Sequence, residues 1–218
     1  MSTMGLTSFP RRWESMDPRL HGDDNCYNIA MKLNAKELRD VKEEDIVDKL
    51  KTIKRRPMYF ILENIYDTYN IGGLFRLADA LAIEKMYICG ESEIPPNPKI
   101  KKASIGTYKV VPWEYRKTAE EAIAEVKTSA VFAKLNDAKL TAEVKIIAVE
   151  QAKNSVPYQK ADYSAPVALI LGNETYGVTE ETLKLANQIV EIPMWGINKS
   201  LNVIVSAAIV SYWITNNQ

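Results

Sequence analysis

Val167-Ala168-Leu169-Ile170-Leu171-Gly172-Asn173-Glu174-Thr175-Tyr176-Gly177 is the stretch on which the architecture turns. Five consecutive apolar residues read as a strand buried on both faces, as in a parallel sheet. The strand runs into Gly-Asn-Glu with a further glycine behind it, which makes a tight polar turn. Two residues later Thr179 is placed to cap a helix, with Glu180 and Glu181 in its first turn.

The same texture extends in both directions. Upstream, Met58 to Leu62 reads as a buried strand, and Gly72 to Ile83 carries Leu74, Phe75, Leu77, Ala78 and Leu81 at helical spacing. Lys85 to Cys89 reads as a second strand and Tyr108 to Val111 as a short third. Thr118 to about Ala142 predicts a long helix, broken near Asn136, and Val144 to Val149 another strand. Downstream, Ile189 to Ile192 is the last strand and Leu201 to Ile214 the last helix. Apolar strands alternating with helices predict an α/β fold, a mostly parallel sheet covered by helices on both faces.

The 218 residues favour one domain with at most a small appendage, and 46% hydrophobic against 26% charged residues fits a globular chain. The 28 basic and 28 acidic residues cancel, so any nucleic-acid partner needs a local patch. Cys26 and Cys89 supply no disulfide framework, and with His21 the single histidine a zinc site is not expected. The longest apolar run, Val203 to Ile214, is too short to span a bilayer, and Met1 to Arg12 lacks the apolar core of a signal peptide. The expected compartment is the cytoplasm, with no membrane and no metal.

Residues 1–30 read as a flexible tail, rich in Pro, Arg, Asp and Gly from Phe9 to Asn25. Residues 31–56 read as a short helical extension, with Leu38, Val41, Ile46, Val47, Leu50 and Ile53 at amphipathic spacing, and residues 57–218 as the main domain. The extension ends in Lys51, Lys54, Arg55, Arg56 and Pro57, either a solvated helix end or a phosphate contact. A second basic cluster, Lys99, Lys101 and Lys102, follows Pro95, Pro96 and Pro98 in an expected loop. It is either a solvated loop or a patch facing RNA.

Ligands of parallel sheets sit beyond the carboxyl ends of the strands, and three segments there are unusual. Asn70-Ile71-Gly72-Gly73-Leu74-Phe75-Arg76 enters a helix through glycines, which admits a ligand close to backbone. Leu171 to Gly177 is the turn already described. Ile192-Pro193-Met194 leads to Ser200-Leu201-Asn202 at the start of the last helix, where Ser200 suits an N-cap. Pro193 stiffens a loop whose backbone donors and acceptors can grip a flat heterocycle. Each segment alone also suits an ordinary strand-to-helix connection. Neither GxGxxG nor GxxxxGK[ST] occurs.

Taken together and in this order, the three segments resemble the motifs of the SpoU (TrmH) family of RNA 2′-O-ribose methyltransferases, in the SPOUT superfamily, over roughly Pro57 to Asn216. The resemblance implies an α/β fold with a C-terminal trefoil knot, S-adenosylmethionine as cofactor, tRNA or rRNA as substrate, and a homodimer. By position it gives Asn70, Arg76, Glu174, Ser200 and Asn202 catalytic roles, and places Gly172, Ile192, Met194 and Leu201 around the cofactor. Two features depart from the pattern: the long helical stretch from Thr118 to Ala142, and the lack of a recognisable RNA-binding domain before Ala35.

The implied reaction requires a ribose 2′-hydroxyl to lose its proton and to line up behind the sulfonium methyl with water excluded. The family implies that the first motif's arginine accepts that proton or activates the hydroxyl. A guanidinium is a poor base because it keeps its proton. Arg76 is therefore expected to clamp a neighbouring phosphate and stabilise the developing alkoxide, with the other four residues holding it and the ribose. A non-catalytic RNA-binding relative of the same fold is the alternative, although it would be expected to lose these polar residues. A nucleotide-dependent oxidoreductase would need the missing glycine fingerprint.

Overall fold

Alternate residues of the central strands face opposite layers, and this organises the whole molecule. In a computed structural model, which describes residues 32–136, 143–164 and 166–217, β1 (Arg56–Glu63), β2 (Ile83–Cys89), β3 (Trp113–Arg116), β4 (Lys145–Val149), β5 (Val156–Pro157), β6 (Val167–Leu171) and β7 (Gln188–Glu191) form one sheet. Its order is β3-β2-β1-β6-β4-β7-β5, and every pairing is parallel. Phe60, Leu62, Met86, Ile88, Val167, Leu169 and Leu171 face one core. Ile61, Tyr87, Cys89, Ala168 and Ile170 face the other. A sheet buried on both faces needs apolar residues at every position, which is why these strands show no polar alternation.

The first core is closed by α3 (Thr68–Ala80), α4 (Pro98–Ser104) and α7 (Val203–Asn217), through Ile71, Leu74, Phe75, Ile100, Ala207, Val210 and Ile214. α1 (Ala35–Asp40) and α2 (Glu43–Leu50) join the same core through Ile46, Leu38, Val41 and Leu50. The second core is closed by α5 (Ala119–Asn136), through Ala119, Ala122, Ile123 and Val126, and by the segment around α6 (Glu180–Leu183).

Several expectations are corrected. Tyr108 to Val111 is no strand: Thr107–Lys109 forms a 3-10 turn, entered through Ile105 (φ 56°) and Gly106 (φ 93°) in the left-handed region, and β3 begins only at Trp113. The proline-rich stretch is not loop throughout, because Pro98 opens α4 at the first-turn position where its missing N–H costs nothing, and the Asn97 side chain accepts from Lys99 N and Ile100 N. Lys99, Lys101 and Lys102 therefore sit on a helix, exposed. α3 starts earlier than expected because Asp67 caps it, and Ile83 belongs to β2.

In the basic run, Arg55 is committed to structure. Its guanidinium donates to Ile83 O at 3.0 Å and Val110 O at 2.9 Å, holding the start of β2 to the segment that leads into β3. α5 runs to Asn136, and the expected continuation to Ala142 lies outside the described residues, as does the expected tail.

Candidate functional site

The chain leaves β1 through Asn64, whose φ of 52° is a conformation asparagine tolerates. Its Oδ1 accepts from Glu91 N at 3.0 Å, and its carbonyl accepts from Asn173 Nδ2 at 2.6 Å. Asp67 then caps α3 by accepting from Tyr69 N at 2.8 Å. Glu63, buried at the end of β1, accepts from Thr179 N, Thr179 Oγ1 and Thr182 Oγ1, and so fixes the start of α6.

The turn after β6 is equally determined. Asn173 and Gly177 exchange two backbone hydrogen bonds of 3.0 and 2.9 Å, and Asn173 Oδ1 accepts from Thr175 N and Tyr176 N. A Cβ at Gly172 would lie 2.3 Å from the backbone of Gly177 and Val178, so only glycine closes this turn.

The turn delivers Glu174 to the start of α3. Its carboxylate accepts from Tyr66 N and Asp67 N, both at 3.1 Å, and from Asn70 Nδ2 at 2.9 Å. Partial burial pushes this carboxyl up, but the hydrogen bond from Asn70 and those from backbone N–H groups outweigh it and hold the group below its ordinary value. Asn70, buried, passes the contact on: its Oδ1 accepts from Asn202 Nδ2 at 2.9 Å. Asn202 Oδ1 in turn accepts from Ile204 N at 2.9 Å, at the start of α7. The direction of this chain is fixed at both ends. A carboxylate only accepts and a backbone N–H only donates, so neither amide can be reversed without loss.

Beside this chain lies a cleft of about 600 Å³ at the carboxyl ends of β4, β6 and β7, reached by Val149, Leu171 and Val190. The expected cofactor residues Gly172, Ile192, Met194 and Leu201 all line it, together with Glu174, Ser200 and Asn202. Ser200 does not cap α7. Its N–H donates to Asn198 Oδ1, it is exposed, and α7 begins at Val203 behind Asn202. Arg76 is not among the lining residues. It is exposed on α3, six residues beyond Asn70, and makes no hydrogen bond or ion pair among the described residues. The expectation that the other four residues hold Arg76 is thus not met; Asn70, Glu174 and Asn202 hold one another.

Sequence reading missed the loop after β4. Glu150 Oε2 accepts from Val178 N at 2.9 Å, and Gln151 Nε2 donates to Lys199 O at 2.8 Å, both at the cleft. Glu191, at the end of β7, also lines it and accepts from Ser155 Oγ. The available signal was position, because these residues end strands at the ligand-bearing edge of the sheet. Among the described residues no group of three or more His, Cys, Asp or Glu is arranged to hold a metal ion, and no helix is long and apolar enough to cross a membrane.

Residues 57–212 match the model of the SpoU rRNA Methylase family. The tRNA (guanosine(18)-2′-O)-methyltransferase of Escherichia coli K12 is 26% identical over 163 residues, which cover 73% of this chain and 63% of that protein. The protein of the same name from Thermus thermophilus is 27% identical over 160 residues, 73% of this chain and 75% of that one. The chain therefore spans less than two thirds of the length of its E. coli relative. Among solved structures, the Aquifex aeolicus TrmH/SpoU tRNA modifying enzyme superposes with a TM-score of 0.62 at 26% identity, covering 79% of this chain and 82% of that one. The AdoMet-bound rRNA methyltransferase of Sinorhizobium meliloti gives 0.63 at 26% identity, covering 81% and 59%.

Proposed function

The chain belongs to the SpoU rRNA Methylase family, and from that premise we propose that it transfers a methyl group from S-adenosylmethionine to a ribose 2′-hydroxyl of tRNA or rRNA. The observation that carries this reading is the hydrogen-bonded chain Glu174–Asn70–Asn202, which ties three segments far apart in sequence into one polar wall beside the cleft.

The cleft suits the cofactor. Leu171, Ile192, Met194 and Leu201 offer apolar surface to a flat heterocycle, and the carboxylates of Glu150, Glu174 and Glu191 suit a ligand bearing sulfonium and ammonium charge. When bound, S-adenosylmethionine supplies an electrophilic methyl. The rest is the work of this chain. Glu174 and Asn70 are held in place before substrate arrives, and so can orient a ribose without reorganising. Ser200, with its hydroxyl unengaged among the described residues, is free to hydrogen-bond ligand. Arg76, likewise unpaired, is assigned to grip the phosphate next to the acceptor and to stabilise negative charge developing on the 2′-oxygen.

The same reading includes a homodimer. On α7, Val205 and Tyr212 are 45% and 46% exposed and Ile209 lies between them, an i, i+4, i+7 stripe turned away from the core. Such a stripe supports packing against a second copy. It also includes a C-terminal trefoil knot, as the resemblance of the three segments to the family's motifs implies. The cytoplasm is the compartment it assigns.

The test is twofold. Calorimetry should show binding of S-adenosylmethionine and none of NAD. Ribose-methylation mapping of cellular tRNA and rRNA should lose a modified position when the gene is removed. NAD binding without adenosylmethionine binding, or an unchanged methylation map together with no methyl transfer by the purified protein, overturns the proposal.

A further inference from the structure

Three tyrosines stand in the open where the acceptor would lie. Tyr66 is 49% exposed, Tyr69 53% and Tyr176 82%. Large exposed aromatics on adjoining segments mark a binding surface. Tyr66 and Tyr69 follow β1, and Tyr176 follows β6; these strands are neighbours, in register as far as Leu62 and Leu171. The two links therefore leave the sheet side by side, and between β1 and β6 the strand order reverses direction, the point at which parallel sheets take ligands.

Each tyrosine is tied to the polar wall. Tyr66 N donates to Glu174, Tyr69 immediately precedes Asn70, and Tyr176 lies two residues beyond Glu174 and lines the cleft. Their backbones are held by Glu174, Asp67 and Asn173. The Tyr66 ring is fixed further by its hydroxyl, which donates to Glu91 Oε2 at 2.8 Å. That bond first of all, then desolvation and the charge of Glu91, raises the Tyr66 phenol above its ordinary value.

The charges here decide what is recognised. Glu91 and Glu174 would repel a phosphate, whereas the face of a nucleobase carries no such penalty. An aromatic ring can stack on a base only when that base is out of a duplex. We propose that Tyr66, Tyr69 and Tyr176 form a stacking platform for an unpaired nucleobase next to the ribose presented to Glu174 and Asn70. The proposal rests on the methyltransferase reading and adds to it the side chains that hold the neighbouring base.

The test uses fluorescence anisotropy of the full chain with a labelled single-stranded oligoadenylate of roughly 12 nucleotides and with a duplex RNA of the same length. Wild type should bind the single strand more tightly. Tyr69→Ala and Tyr176→Ala should each weaken that binding about tenfold, and Tyr69→Phe and Tyr176→Phe should retain it, since stacking needs the ring and not the hydroxyl. Affinity for S-adenosylmethionine should be unchanged in the Tyr69 variants, since Tyr69 is not among the residues lining the cleft, and thermal unfolding shows that all four variants fold. In methyl-transfer assays on total RNA from cells lacking the gene, the alanine variants should raise KM for RNA. The platform is overturned by phenylalanine variants as weak as the alanine ones, by alanine variants that bind the oligonucleotide like wild type, or by a Tyr176→Ala protein whose mass by light scattering is halved, which makes the patch an interface between copies. If the binding pattern appears but wild type transfers no methyl to that RNA, the methyltransferase reading fails instead.

Discussion

The turn after β6 and the loop after β7 border the same cleft and are built in opposite ways. In the turn, Asn173 closes a two-bond bridge with Gly177 and binds two further N–H groups, and Glu174 is held by three donors. In the loop, Trp195 is 92% exposed, Ile197 is fully exposed, and nothing lies within 4 Å of a Cβ built on Gly196. Its ties are few, chiefly the Gln151–Lys199 contact and Asn202 at its end. On the proposed function the contrast is a division of work: the rigid turn would hold groups in place ahead of a transition state, and the open loop keeps surface free for contacts with a ligand or a partner.

Four measurements break or sharpen that contrast. The largest effect is expected outside both walls, on α3, where Arg76→Ala should slow single-turnover methyl transfer about a hundredfold or more while leaving cofactor affinity nearly intact. Arg76→Lys should rescue poorly, lacking the planar two-point grip. A near wild-type rate for the alanine variant would remove Arg76 from the chemistry.

Next, Gly172→Ala should lower stability by about 2–3 kcal/mol, because its methyl meets the backbone of Gly177 and Val178 and not a side chain able to move aside. Thermal unfolding measures this, and a melting temperature equal to wild type would mean that the turn is not rigid.

A smaller effect follows from Glu174. Its folded-state pKa is depressed, so its stabilisation is fully present above the ordinary glutamate value of 4.5 and is lost as pH falls through the lowered one. Chemical denaturation should therefore show wild type more stable than Glu174→Gln at neutral pH, with the gap closing in acid below 4.5. A gap that widens there contradicts the assignment. The smallest effect belongs to the open loop: Gly196→Ala should stay within about 0.5 kcal/mol of wild type. A loss matching that of Gly172→Ala would erase the distinction between the walls.

What could be read from sequence was whatever depends on neighbours along the chain. The five apolar residues of β6 and the Thr179 cap are local signals, and both stand where expected. Tyr108 to Val111 misled because the β-branched pair Val110-Val111 reports burial and not extension; the left-handed residues Ile105 and Gly106 had already turned the chain. Asn97-Pro98 was a helix start obscured by two prolines before it. Of the residues expected in the site, Glu174, Ser200 and Asn202 reach the cleft and Asn70 borders it, but how they are wired was not legible. Nothing local shows that Asn70 joins Glu174 across 104 positions and Asn202 across 132. Nor does it show that Arg76 stands apart from them.

The contact between α3 and α7 has a consequence for how this protein can change over generations. A Cβ built on Gly73 would lie 2.3 Å from Ile204 Cδ1, the movable tip of a side chain two residues beyond Asn202. Position 73 is therefore negotiable where position 172 is not, but only in concert with position 204. Lineages that acquire alanine at 73 should carry valine or a smaller residue at 204, and those that keep glycine should be free to retain isoleucine. The two positions are expected to drift as a pair, keeping the helices at the separation over which Asn202 still reaches Asn70.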